Sequence, residues 1–138
     1  MLGVASGAAE PVPDADPGTQ RELVQAFIAA AREGDFEALV AVLDPDIVLR
    51  ADAGAPPAGM SREVRGAEAV ARAALIFSRL DLYVQQALIN GVPGTVNTRD
   101  GQPFSVAAFT IRGGKITEID ILADPERLRR LDLTILDR

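Results

Sequence analysis

The sequence predicts an α+β fold, with helices gathered on one face of a curved antiparallel sheet. Three observations carry this. Apolar residues recur at helical spacing in two early runs and again after Gly66. From Leu82 onward the chain alternates in strand fashion. Two β-rich runs, 102–111 and 116–122, are joined by Arg112-Gly113-Gly114-Lys115, and Gly113-Gly114 is a two-residue hairpin signal because primed turns need positive φ.

Bulk composition narrows the function. The 138 residues are enough for one domain with a core. The net charge of −6 disfavours independent binding to nucleic-acid phosphates. There is no Cys and no His, so thiol chemistry is excluded and the commonest general base and metal ligand are missing. Any metal site would be all oxygen, and no ligand loop for one is visible; no cofactor is expected. No secretory signal and no membrane-spanning run is seen, so a cytoplasmic location is expected.

Taken in order, residues 1–18 are rich in Ala, Gly and Pro and read as a flexible linker, leaving 19–138 as the domain. Thr19 and Glu22 form a capping box for a helix carrying Leu23, Phe27, Ala30 and Ala31 on one stripe. Gly34 ends that helix and Asp35 caps the next, whose apolar residues are Phe36, Leu39, Val40 and Leu43. Asp44-Pro45 stops it, and Ile47-Val48-Leu49 is a short strand. A loop over 51–61 leads to a third helix with Val70, Ala73, Ala74 and Phe77 inward. Strands follow at 82–89 and 95–98, separated by a loop, Asn90-Gly91-Val92-Pro93-Gly94. After the central hairpin, Asp124-Pro125-Glu126 opens a short C-terminal helix with Leu128 and Leu131 on one side.

The Gly-Gly turn sets Ile111 opposite Ile116, Phe109 opposite Glu118, Ala108 opposite Ile119 and Val106 opposite Ile121. One hairpin face then carries Phe104, Val106, Ala108, Ile119 and Ile121 and is expected to be buried against the first and third helices. Ser105, Ala107, Phe109, Glu118 and Asp120 fall on the other, so Glu118 and Asp120 read as a solvated surface rather than a catalytic pair. Asp52 reads as a solvated strand end, and Tyr83, the one tyrosine, as an amphipathic residue at a core edge. The arginines Arg72, Arg79, Arg127, Arg129 and Arg130 read as solvated helix faces. The expected lining of a pocket at the wide end of the cone is Phe27, Asp52, Tyr83, Phe104, Val106, Ala108, Ile119 and Ile121.

The segments Arg-Glu-Gly-Asp-Phe-Glu-Ala-Leu (32–39), Leu-Asp-Pro-Asp-Ile-Val-Leu (43–49), Arg-Gly-Ala-Glu-Ala-Val-Ala (65–71) and Gly-Gly-Lys-Ile-Thr-Glu-Ile-Asp (113–120) resemble the SnoaL-like branch of the nuclear-transport-factor-like superfamily. That resemblance, over roughly Gln20 to Leu133, implies a cone-shaped fold of a curved sheet wrapped by three helices. A narrower likeness lies in Ala-Leu-Ile-Asn-Gly-Val-Pro-Gly (87–94) and Ile-Leu-Ala-Asp-Pro-Glu-Arg-Leu (121–128). These are similar to the C-terminal domain of sigma-factor-J-type extracytoplasmic-function sigma factors, although Val92 stands where that group shows Gly.

This resemblance implies a regulatory domain that contacts the sigma regions of its own polypeptide and RNA polymerase, without touching nucleic acid or membrane. Asn90, Gly91, Pro93 and Gly94 are the expected interdomain contact, and residues 1–18 part of a tether. A second copy of the chain is a further candidate partner. The other reading is a free-standing SnoaL-like enzyme or carrier for a hydrophobic, polyketide- or steroid-like ligand. Ketosteroid isomerases of the superfamily use a carboxylate base, a tyrosine and a protonated aspartate. Placed by the surrounding motifs, the tyrosine role falls on Phe27, the base on Ala51 and the second acid on Val106, so no catalytic residue is expected.

Overall fold

A computed structural model describes residues 17–52, 62–80, 82–131 and 133–135. The expected linker, apart from Pro17 and Gly18, and most of the 51–61 loop lie outside these residues. Helix α1 runs Pro17–Glu33, starting ahead of the Thr19 cap; proline is pre-organised for a first helical turn. Helix α2, Phe36–Val42, begins as expected: the Asp35 side chain accepts from the Ala38 N–H at 3.1 Å. Strand β1 is Leu43–Asp52, β2 is Arg62–Arg65, and helix α3 is Ala67–Phe77. There follow β3 (Tyr83–Ile89), β4 (Val92–Arg99), β5 (Gln102–Arg112), β6 (Lys115–Leu122), α4 (Pro125–Leu128) and β7 (Leu133–Ile135). No helix among the described residues is long and apolar enough to cross a membrane.

The strands form one curved seven-stranded sheet in the order β2-β1-β6-β5-β4-β3-β7. All neighbours are antiparallel except β1 and β6, which run parallel. The short strands β2 and β7 were not expected; each is an edge strand, stabilised by its neighbour rather than by a long apolar pattern of its own.

The central hairpin departs from the simple register. Ile111 does face Ile116, but Thr110 faces Glu118, Phe109 faces Ile119 and Ala107 faces Ile121. Thr117 is the extra residue of a β-bulge, and its hydroxyl donates to the Thr110 carbonyl at 3.2 Å. The reason lies in β6. Strict alternation would place Ile116 and Ile119 on opposite faces, whereas one inserted residue lets both point inward, at 0% and 2% exposure. Ile119 and Glu118 keep the faces assigned to them, but the faces of β5 are exchanged. Ala107, Phe109 and Ile111 join the core beneath the helices, together with Val24, Ile28, Leu39 and Val70. Phe104, Val106 and Ala108 turn away from α1, α2 and α3. Val106 is buried in a second cluster with Ala87, Ile89, Val96 and Leu128, against which Ala108 packs.

The Asn90-to-Gly94 segment is also not a five-residue loop. Only Asn90 and Gly91 form the turn, with φ of 51° and 83°. Val92 already pairs with Ile89, and Gly94 pairs with Ala87 on one side and Ala108 on the other. Gly94 is buried, and a Cβ there would lie 2.0 Å from the Ala107 carbonyl oxygen. It belongs to the sheet interior, not to a contact surface.

Candidate functional site: an apolar cavity with a polar patch

Between the helices and the sheet lies a cavity of about 400 Å³. Phe27 and Ala31 from α1 and Ala73, Ala74 and Phe77 from α3 form the helical wall. Leu49, Ala107, Phe109, Ile119 and Ile121 form the sheet wall. The Phe27 and Phe109 rings meet edge to face, with centroids 5.3 Å apart. Exposed Ile76 and Leu80 mark the opening, together with Arg32, whose Nη2 donates to the Val84 carbonyl at 3.5 Å.

Two lining side chains are polar and buried: Thr95 at 4% exposure and Asn97 at 2%. Alternation along β4 turns both inward and leaves Val96 in the second cluster. Asn97 Nδ2 donates to the Ser105 hydroxyl at 3.0 Å. These residues drew no functional reading from the sequence. The available signal was polar Thr and Asn at alternate positions of a strand with apolar neighbours on both sides of the sheet.

Of the expected lining, Phe27, Ile119 and Ile121 are in place. Asp52 is not: its carboxylate accepts from Arg127 Nη1 at 2.6 Å. Tyr83 is 63% exposed and does not line the cavity. Phe104, Val106 and Ala108 are excluded by the bulge; Phe104 lies half-exposed, with the Arg99 guanidinium carbon 5.1 Å from its ring centroid. No Asp or Glu among the described residues lines the cavity.

The carboxylates of the hairpin sit on the outer face, in a solvated network around Arg50. Its guanidinium lies 3.8 Å from Glu63, 3.6 Å from Glu118 and 4.0 Å from Asp120. Partial burial, then the negative Glu118, raises the Asp120 carboxyl above its ordinary 3.8, partly opposed by Arg50. Such exposed pairs add little stability.

A curved sheet covered by three helices around a central cavity is the cone-shaped fold of NTF2-like proteins. This fold is shared with an NTF2-like protein of unknown function from Cytophaga hutchinsonii ATCC 33406, with a TM-score of 0.56 and 18% identity over 80% of this chain and 94% of that one. An NTF2-like protein of unknown function from Burkholderia xenovorans LB400 gives a TM-score of 0.55 at 19% identity, over 78% and 84% of the two chains. The chain is more specifically similar to the ECF RNA polymerase sigma factor SigJ of Mycobacterium tuberculosis. Identity is 30% over 129 residues, covering 83% of this chain and 40% of SigJ. The crystal structure of that SigJ superposes with a TM-score of 0.63 at 29% identity, covering 83% of this chain and 45% of that one. The chain is thus a domain related to an ECF sigma factor, and it spans less than half of SigJ's length. No family model matches it.

Proposed function

We propose that this chain is the regulatory SnoaL-like domain of an ECF sigma factor and modulates transcription initiation through protein contacts made in cis. The observation that carries the proposal is the similarity to SigJ across most of this chain but under half of SigJ. The net charge of −6 favours protein partners over DNA. The turn between β3 and β4 is the contact surface in this reading. Asn90 and Gly91 hold positive φ, Val92 is exposed and Pro93 half-buried, so the tip is stiff and loses little entropy on contact. A short tether holds the domain beside the sigma regions at roughly millimolar effective concentration, enough to populate a weak contact.

The test uses the sigma factor that carries this domain. Asn90→Arg with Val92→Asp alters the tip and leaves Gly91 and Gly94 intact. The expected result is native circular dichroism with changed transcription in vitro from the cognate promoter. A folded variant with wild-type transcription would refute the tip contact. An upstream reading frame that does not encode sigma regions would refute the cis arrangement itself.

In this reading the domain is not an isomerase. Phe27 and Ala51 line the cavity with no proton to transfer, and Val106 points away from it. Turnover of a β,γ-unsaturated ketosteroid that is lost in Asp52→Asn would overturn this point.

A further inference from the structure

We infer that the cavity binds an uncharged, mostly apolar small molecule with one hydroxyl or carbonyl end, recognised by Thr95 and Asn97. Four observations converge. The volume of about 400 Å³ falls within the ~300–1,000 Å³ of small-molecule sites. The walls are aromatic and aliphatic. Two buried polar side chains, Thr95 and Asn97, face this apolar space from one strand. Among the described residues the Thr95 hydroxyl has no hydrogen-bond partner, and Asn97 bonds only to Ser105 through its side chain.

Both side chains line the cavity, so the hydrogen-bonding capacity that Thr95 and Asn97 do not spend within the protein is open to a ligand or water. The Asn97 amide can turn over and still keep its bond to Ser105, because a hydroxyl both donates and accepts. It therefore presents either a donor or an acceptor to the ligand, which suits a carbonyl or a hydroxyl equally. An anion is disfavoured. Arg32 is the one cation among the described lining residues, and it is exposed, while Thr95 and Asn97 are buried; a charge beside them would be desolvated without a counter-ion. The recognising strand is β4, whereas the positions to which the isomerase roles fall, Phe27 and Ala51, are apolar.

The probes are phenylphenol, acetylbiphenyl, biphenyl and biphenyl carboxylate, titrated into the full chain and followed by NMR shifts. Saturable binding of the first two is expected, with Thr95 and Asn97 amides among the most shifted. The carboxylate should bind about tenfold more weakly or worse. Thr95→Val, and the pair Asn97→Leu with Ser105→Ala, should weaken phenylphenol about five- to tenfold and leave biphenyl unchanged. Ala74→Phe should fill the cavity and abolish all binding, and Ala31→Phe does the same from the other helix.

No saturable binding by any neutral probe would overturn the inference. So would a carboxylate that binds as well as phenylphenol, or polar variants that leave phenylphenol unaffected. Binding untouched by both cavity-filling variants would place the site elsewhere and refute it as well. These outcomes leave the cis-regulation reading intact, since that one is decided by transcription.

Discussion

Two residue pairs show how position rather than residue type decides cost. Gly94 and Gly91 lie in the same hairpin. At Gly94 an added methyl would collide with the Ala107 backbone, 2.0 Å from its carbonyl oxygen and 2.8 Å from Ile89 Cδ1. At Gly91 there is open space and only the positive φ is costly. Gly94→Ala is expected to lose about 3 kcal/mol or more by forcing β4 from β5, against about 1–2 for Gly91→Ala, read by urea denaturation. The order would be reversed if the segment were a loop through Gly94. The two phenylalanines of β5 make the second pair. Phe109 is 2% exposed and packs on Phe27; Phe104 is half-exposed under Arg99. Phe109→Ala should cost about 3–5 kcal/mol and Phe104→Ala about 1 or less, measured by the same unfolding curves. Equal costs would contradict the observed faces of β5.

At the scale of elements, the helices and the Gly113-Gly114 turn were legible because each rests on local chemistry: a cap, a stop, a positive φ. Asp35 caps α2 as its side chain dictates, but the helix ends at Val42, ahead of the expected Asp44-Pro45 stop, because Leu43 already pairs with Ile116 in β1. The bulge was not, because it follows from burial across strands. Its trace in the sequence is the spacing of Ile116, Ile119 and Ile121, three and then two, which no unbroken alternation can place on one face. The unnoticed polar patch follows from the same gap: Thr95 and Asn97 acquire meaning only once β4 is known to face a cavity. Deleting Thr117 tests the account. With the inserted residue removed, Ile116, Ile119 and Ile121 stand two apart and a regular ladder keeps all three on the inner face, so the deletion variant should retain cooperative unfolding and the near-ultraviolet signal of packed aromatics. A deletion variant that loses cooperative unfolding would overturn this account of the bulge.

Seen whole, the molecule keeps a separate apolar cluster on each face of one sheet. The inner one lies under α1, α2 and α3 and encloses the cavity. The outer one, around Val96 and Val106, is closed in cis by α4 through Leu128, 6% exposed, with Leu131 packed alongside. The Arg127 contact with Asp52, and the Ala123 N–H donating to the Asp52 carbonyl at 2.8 Å, fasten the start of α4 to the end of β1. An apolar sheet face without its cover would seek another, commonly a second copy of the same chain. Leu128→Ala should therefore cost about 2–5 kcal/mol and bring concentration-dependent association in sedimentation velocity. The far-ultraviolet spectrum and the phenylphenol titration should not change, because Leu128 touches neither the inner core nor the cavity. If the variant keeps wild-type stability and stays unassociated at high concentration, α4 is not what closes this face. If it also loses phenylphenol binding, the two faces are coupled through the sheet, and their independence is refuted.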